Sequence, residues 1–377
     1  MNICFLSYRF PGTHNKTDFV FVKKLVDEIA KLGHHCYVLS PYNVLYYKKR
    51  FEKKESYVVG LGKVTIYRPM YLSFSTLHIG NFSLSNYSYN LALKKAYRQM
   101  NIIPDVMYGH FWGTAYSGYE IAKRNNIPLF VATGESEIKK MFNFSIDDIP
   151  AFRDYVKGVI CVSTKNRDES VELGLTTQDK CIVCPNAVDT SIFYKRNKLE
   201  CRQKLGYPIN GFIVAFLGWF NERKGVIRVS EALSTIEGVN SLFIGKGELE
   251  PNCDGILFKG SLTHDQIPLY LGAADCFVLP TLHEGCCNAV IEALSCGLPV
   301  ISSDLPFNWD VLDKTNSILV NPNSVEQIAD AIRELRDNSS LLEQLSNGAL
   351  IRATTLSIEQ RANRIIDFIK KRIAITS

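Results

Sequence analysis

The sequence predicts an α/β protein of two doubly wound domains, each a parallel sheet with helices on its faces. Two observations carry this. At 377 residues the chain is longer than one ordinary domain. Short apolar runs also alternate with helical stretches in two arrays, one starting at Asn2 and the other at Phe212. With 46% hydrophobic and 21% charged residues, both halves can bury cores.

Asn2 to Ser7 is the first strand. A loop from Tyr8 to Thr17 follows, turning at Pro11-Gly12. Asp18 is placed to cap a helix from Phe19 to Leu32, Gly33 stops it, and Cys36 to Leu39 return as a strand. Residues 42–57 mix Tyr42, Tyr46, Tyr47, Phe51 and Tyr57 with Lys48, Lys49, Arg50, Lys53 and Lys54. Such a stretch can lie in a membrane interface, or be a solvated helix or loop. Residues 71–93 are poor in charge and rich in Tyr, Phe, Ser and Asn, suited to lining a groove or covering the sheet.

Pro104 to Tyr108 reads as a strand ending at Gly109-His110. A histidine at the carboxyl end of a parallel strand stands where open α/β sheets bind ligands, although a packed loop histidine has the same signature. The helix Thr114 to Arg124 leads to a strand Pro128 to Ala132 and then to Gly134-Glu135-Ser136-Glu137. Val159 to Val162 and Ile182 to Cys184 are further strands, with Ser163 capping the helix between them. Cys181 and Cys184 have half a metal-site spacing, but no second pair completes it, so they read as strand positions. Residues 193–210 read as a polar connection.

The second array opens with the strand Phe212 to Leu217, the turn Gly218 to Gly225 and a helix to about Glu237. Ser241 to Ile244, Ile256 to Gly260 and Ala274 to Leu279 are strands. The stretch that follows is strand, loop, helix, strand. Gly285 loosens the backbone, Asn288 is placed as N-cap, Ala289 to Ser295 form the helix, and Gly297 stops it before Pro299. Free backbone N–H groups at that helix start make a seat for an anion such as a diphosphate. Glu284 and Glu292 flank the seat. Carboxylates repel phosphate but accept hydrogen bonds from a diol, so the pair makes sense for a ligand carrying both, a nucleotide sugar. Two ordinary solvated glutamates would give the same letters. Val325 to Arg336 and a stretch from Ser340 are helical, and Ile358 to Arg372 closes the chain with helical apolar spacing.

Glu284 and Glu292, with Gly285, Ala293, Gly297 and Pro299-Val300 between and beyond them, closely resemble the signature of retaining glycosyltransferases of the GT-B fold, family 4. Pro185-Asn186-Ala187-Val188-Asp189 resembles that family's interdomain segment. On this resemblance residues 1–187 form an acceptor-binding domain and 188–377 a nucleotide-sugar-binding domain, with the terminal helix, about 358–373, packing back on the first. The resemblance implies that Glu284 contacts the donor-sugar hydroxyls, Glu292 the ribose diol, and Lys224 the diphosphate. Trp219 stands where the family has an arginine, and Arg223 is the candidate replacement. Gly12, Gly218, Gly245, Lys259, Gly285, Cys286, Cys287 and Asn288 complete the expected donor site. His110 would orient the sugar or acceptor. Gly134 replaces a histidine of many relatives, which makes Gly134, Glu135 and Ser136 the candidate acceptor groups.

The implied reaction moves a sugar from a nucleoside diphosphate to an acceptor hydroxyl with retained configuration. The departing diphosphate can take the acceptor proton, so no protein base is required. The sequence holds no Asp-x-Asp pair of the kind that carries a metal on a nucleotide sugar, so no metal or other cofactor is expected. An epimerase of the same architecture, or a silent nucleotide-sugar-binding scaffold subunit, are the alternatives. Residues 1–187 hold 24 Lys and Arg against 16 Asp and Glu, and residues 188–377 hold 19 against 22. That basic first half is too mild for nucleic acid but suits an anionic membrane or acidic acceptor. The eleven scattered cysteines, the lack of a signal sequence and the lack of a long apolar run point to a cytoplasmic protein, with the inner membrane face as a docking surface. A glycan or lipid-linked acceptor in surface polysaccharide or glycolipid synthesis is the expected partner.

Overall fold

The computed structural model describes residues 1–12, 18–45, 52–73, 78–79, 82–138 and 148–376. Of the basic aromatic stretch, residues 46–51 lie outside the described residues. The chain divides into two units. One comprises 1–162, 166–184 and 362–377; the other comprises 163–165 and 185–361.

The first unit is built on an eight-stranded sheet in the order β12-β11-β10-β9-β1-β2-β5-β4. In chain order its elements are β1 (Asn2–Leu6), α1 (Val20–Lys31), β2 (His35–Leu39), β3 (Tyr42–Asn43), β4 (Lys54–Val59), β5 (Gly62–Tyr67), β6 (Met70–Tyr71), β7 (His78–Ile79), β8 (Phe82–Ser83), α2 (Leu84–Met100), β9 (Val106–His110), α3 (Trp112–Arg124), β10 (Leu129–Thr133), α4 (Asp148–Tyr155), β11 (Val156–Cys161), α5 (Thr164–Glu172) and β12 (Cys181–Val183). All neighbouring strands of this sheet are parallel except β4 on β5. The central strands are covered on both faces, which is why β1, β9 and β10 read as unbroken apolar runs. Helix α1 lays Val22, Leu25, Val26 and Ile29 on the sheet.

Three expectations change here. Asp18 does not cap α1. Phe19 occupies the N-cap in the left-handed region, with no side-chain cap. The stretch from residue 54 carries a hairpin, β4 and β5, on the sheet edge. The charge-poor stretch before residue 93 opens α2, whose N-cap Ser83 accepts from the Asn86 N–H at 3.3 Å. Tyr, Ser and Asn are weak helix formers, but Tyr89, Leu93, Ala96 and Met100 keep helical spacing and are buried.

The second unit is a six-stranded parallel sheet in the order β15-β14-β13-β16-β17-β18. Its elements are α6 (Lys198–Leu205), β13 (Phe212–Leu217), α7 (Val226–Ser234), β14 (Val239–Ile244), β15 (Ile256–Gly260), α8 (Ile267–Ala273), β16 (Cys276–Leu279), α9 (Asn288–Ser295), β17 (Val300–Ser303), β18 (Ser317–Val320), α10 (Val325–Asp337), α11 (Ser339–Ala353) and the start of α12 (Ile358–Thr376). From β13 the chain winds outward through β14 and β15, then returns to β13's other side for β16 to β18. The gap between β13 and β16 is therefore a topological switch point, where ligands bind in open α/β sheets.

The connection 193–210 contains α6, capped by Asn197 and stopped by the left-handed Gly206. Its buried face is narrow, essentially Cys201 and Arg202, so the apolar pattern is faint. Arg202 fixes the helix by donating to Asp275 at 2.6 Å and to the Ala273 carbonyl at 2.9 Å. From Ala362 on, α12 belongs to the first unit: Ile365, Ile366 and Ile369 are buried, and Phe368 packs where Gly158 lacks a side chain. All eleven cysteines are free thiols. Among the described residues no helix is long and apolar enough to cross a membrane, and no cluster of His, Cys, Asp or Glu could hold a metal.

Candidate active site

The switch point of the second unit gathers the strongest charges predicted from the sequence. After β13 the chain makes the turn 218–225 and enters α7. After β16 it makes the loop 280–287 and enters α9. Lys224 comes from the first turn and Glu284 from the second, and Lys224 Nζ donates to Glu284 Oε1 at 2.5 Å. Arg223 Nη1 donates to the same oxygen at 2.5 Å and to the His283 carbonyl at 2.8 Å. Thr281 Oγ1 reaches it at 3.3 Å. Lys224 Nζ also lies 3.8 Å from Cys287 Sγ. Burial works against the Lys224 ammonium, but Cys287 and Glu284 outweigh it and hold its pKa above the usual value. Burial pushes the Cys287 thiol up, although the Lys224 ammonium opposes the rise. One carboxylate thus holds two cations in the loops that follow β13 and β16.

Backbone packing sets this geometry. Gly225 is the left-handed N-cap of α7, and a Cβ there would meet the Pro280 carbonyl at 2.8 Å. Arg228 ties the same loops, donating to the Pro280 carbonyl at 3.1 Å and pairing with Glu222. Gly245, at the end of β14, approaches Gly218 so closely that a Cβ would fall 1.8 Å from the Gly218 carbonyl oxygen. Phe220 N–H donates to Lys246 O at 2.8 Å, and Gly245 N–H to Gly260 O at 2.8 Å. The ends of β13, β14 and β15 are thereby stitched together. Beside them opens a recess of about 210 Å³, lined by Trp219, Ile244, Lys246, Leu262 and Ile267. Trp219 is half exposed, with Lys246 Nζ 5.8 Å from its ring centre.

Glu292 sits one turn inside α9. Its Oε1 meets His264 Nε2 at 3.1 Å, and the His264 ring packs edge-on to Phe193. Asn288 is not the cap expected of it. Cys287 takes the extended N-cap position with no side-chain cap, and Asn288 is the exposed first helical residue. The cause is the loop, which turns Cys287 Sγ toward Lys224. Cys286 is buried, and its carbonyl accepts from Asn186 Nδ2 at 3.0 Å, while Arg361 holds Asn186 Oδ1 at 2.6 Å. Gly297 is left-handed just past the helix, as expected. Lys259 stands apart from the Lys224–Glu284 pair and bridges to exposed Glu250 at 2.9 Å.

The first unit's switch point lies between β1 and β9. His110 ends β9, is buried, and packs against Phe21 and Phe111 with ring centres 5.3 Å and 4.8 Å away. The loop bearing Pro11 and Gly12 is pinned by buried Arg68, which donates to the Pro11 carbonyl at 2.7 Å and pairs with Glu55 at 2.8 Å. Glu135 is buried, and its carboxylate accepts from the Trp112 N–H at 2.9 Å, Thr133 Oγ1 at 2.6 Å and the Gly134 N–H at 2.9 Å. It sits at the N-terminus of α3 and satisfies its first donor. Burial raises its pKa although these three donors oppose the rise. Gly134 is half-buried and Ser136 exposed beside it. Three groups near the second unit's site carried no signal in the sequence: His264, Arg228 and the exposed Trp309. Each follows a strand or turn with unremarkable local spacing, and only the fold brings it to the strand ends.

Residues 211–338 match the family profile described as glycosyl transferases group 1, a span that holds the Lys224–Glu284 pair. The chain is a glycosyltransferase whose residues 211–338 carry the group 1 profile. It is 26% identical over 351 residues to TuaC of Bacillus subtilis (strain 168), which carries a provisional name as a teichuronic acid biosynthesis glycosyltransferase; the match covers 88% of each chain. The fold is similar to sucrose-phosphate synthase from Thermosynechococcus elongatus, with TM-score 0.78 and 17% identity over 99% of both chains. It is also similar to HepE of Anabaena, solved in complex with UDP and glucose, with TM-score 0.71 and 16% identity over 98% of this chain and 100% of that one. The architecture of this glycosyltransferase is accordingly GT-B, two Rossmann-like sheets in one chain.

Proposed function

We propose that this glycosyltransferase moves a sugar from a nucleoside-diphosphate sugar to a glycan or lipid-linked acceptor hydroxyl, with retained configuration. The observation that carries the reading is the clustering of Lys224 and Arg223 on Glu284 at the switch point. Lys224 and Arg223 bind the diphosphate and stabilise its charge as the sugar leaves, the largest contribution a site of this kind makes. Glu284, released from them by the ligand, accepts from the sugar hydroxyls. Glu292 holds the ribose diol, and the recess beside Trp219 takes the base. The departing diphosphate accepts the acceptor proton, so no further base is needed. His110, Gly12, Gly134 and Ser136 of the first unit serve the acceptor, with Glu135 holding their framework.

A place in surface polysaccharide synthesis is supported by the likeness to TuaC and by the charge of the first unit. Its α2 carries no acidic residue, and Tyr87, Leu91, Lys95 and Arg98 are exposed at helical spacing. That stripe suits an anionic membrane surface.

The test is thermal shift and saturation-transfer NMR with UDP-, GDP- and ADP-sugars on wild type and Glu292→Ala. One donor should bind wild type and lose at least about tenfold in affinity in the variant. Turnover of the donor with no acceptor would favour the epimerase, and silence toward every donor would favour a scaffold. Co-sedimentation with phosphatidylglycerol vesicles tests the membrane reading. Lys95→Glu with Arg98→Glu should abolish it, at about 1 kcal/mol for each basic residue lost.

A further inference from the structure

Two of the chain's three tryptophans are exposed, Trp219 at 56% and Trp309 at 58%, whereas Trp112 is fully buried. Both exposed rings lie on loops at the carboxyl edge of the second sheet. Trp219 follows β13 and Trp309 follows β17, and in strand order Glu284, after β16, lies between them.

Trp309 is also held still. Its indole N–H donates to Asp304 Oδ1 at 2.8 Å. Its neighbour Asn308 is buried and donates to Ser302 Oγ at 3.1 Å and to the Ser303 carbonyl at 2.8 Å. On the other side Arg352 holds the Asp310 carbonyl. The loop is then tied to the loop of Glu284, because Ser303 Oγ donates to the Thr281 carbonyl at 2.6 Å and Thr281 Oγ1 touches Glu284. A rigid ring exposed on one face, with its polar edge already satisfied, is a platform for an amphipathic partner.

We propose that Trp309 stacks on a pyranose ring of the glycan acceptor and so fixes which sugar unit is extended. This rests on the transfer reading above. The Trp219 side is given to the base, and Glu284 to the sugar being moved. In strand order Trp309 lies on the opposite side of Glu284, the side that the donor's base and sugar leave open for the receiving chain. The apolar C–H face of a pyranose meets the indole ring, and its hydroxyls point to water or to Asp304.

Tryptophan fluorescence tests this directly. Wild type, Trp219→Phe and Trp309→Phe are titrated with methyl glycosides of glucose, galactose and N-acetylglucosamine at millimolar concentration, in the presence of UDP. At least one glycoside should shift the emission of wild type and of Trp219→Phe but not of Trp309→Phe. With a working acceptor in hand, Trp309→Ala should raise the acceptor KM about tenfold and leave donor affinity unchanged. A shift that survives in Trp309→Phe, or no shift in wild type with any glycoside, overturns the proposal. So does a loss of donor affinity in Trp309→Ala, which would make the ring part of the donor site. If wild type binds no nucleotide sugar at all, the transfer reading itself fails, and the two failures are distinguishable by that control.

Discussion

Each unit has a switch point at the carboxyl ends of its parallel strands, but the two are furnished differently. In the second unit the strand-end loops bring opposite charges together, with Lys224 and Arg223 on one oxygen of Glu284. In the first unit the strand-end histidine is packed among aromatics, and the nearby carboxylate, Glu135, is occupied by three protein donors. On the proposed reading, the difference separates the place of chemistry from the place of selectivity. A charged leaving group needs fixed counter-charges, which restrict the residues allowed. A neutral acceptor needs only shape and a few hydrogen bonds, which many residues supply.

The contrast breaks first at Lys224. Lys224→Met should lower transfer by about 10²–10³-fold while donor-independent folding is kept, as read by initial rates and circular dichroism. An equal loss from His110→Ala would erase the distinction between the two sites. Next, Gly245→Ala should destabilise the second unit by about 3 kcal/mol or more, seen in urea unfolding, because its methyl group collides with the Gly218 backbone and not with a movable side chain. No comparable effect is expected from Gly134→Ala, where the nearest atom is a Val162 methyl at 3.2 Å.

Glu135 sharpens the comparison through pH. Its folded-state pKa is raised by burial, so the folded protein holds that proton more tightly than the unfolded chain does. The stabilisation from this proton is present in acid and is lost as pH rises above 4.5, the ordinary value. Relative to Glu135→Gln, wild type should therefore lose stability between acid and neutral pH, measured by thermal unfolding of both across that range. A difference independent of pH would mean that the carboxylate is not desolvated. The smallest effect belongs to His264→Asn, which should weaken donor binding by about two- to fivefold through a less firmly held Glu292, with the rate at saturating donor unchanged.

Legibility followed the same division. The β13 and β16 strands, their Gly turns, Lys224 and Glu284 stand out in the sequence because parallel strands are continuously apolar and anion seats demand glycine and charge. Arg223 was readable only as a nearby cation; that it shares Glu284 with Lys224 depends on the fold. Asn288 misled because an asparagine before a helix is the usual cap, while here the loop's path gives that place to Cys287. Helices α2 and α6 were obscured by weak helix formers and by a narrow buried face. The hairpin β4–β5 sits at a sheet edge, where half-exposed side chains blur the alternation. His264 had no local mark because its partners, Glu292 and Phe193, lie far along the chain, and Trp309, bonded to Asp304 in its own loop, reads as an ordinary loop aromatic.

Helix α12 has a consequence for how the protein is made. The first unit's sheet takes residues from the beginning of the chain, yet Phe368 fills the space over Gly158 and Phe130, and Arg372 donates to the Lys157 carbonyl at 2.8 Å. On the ribosome these residues emerge only after the whole stretch 185–361 has been synthesised. The unit whose synthesis starts first is thus completed last, and the nascent first sheet must wait with one apolar patch open while the second sheet is assembled.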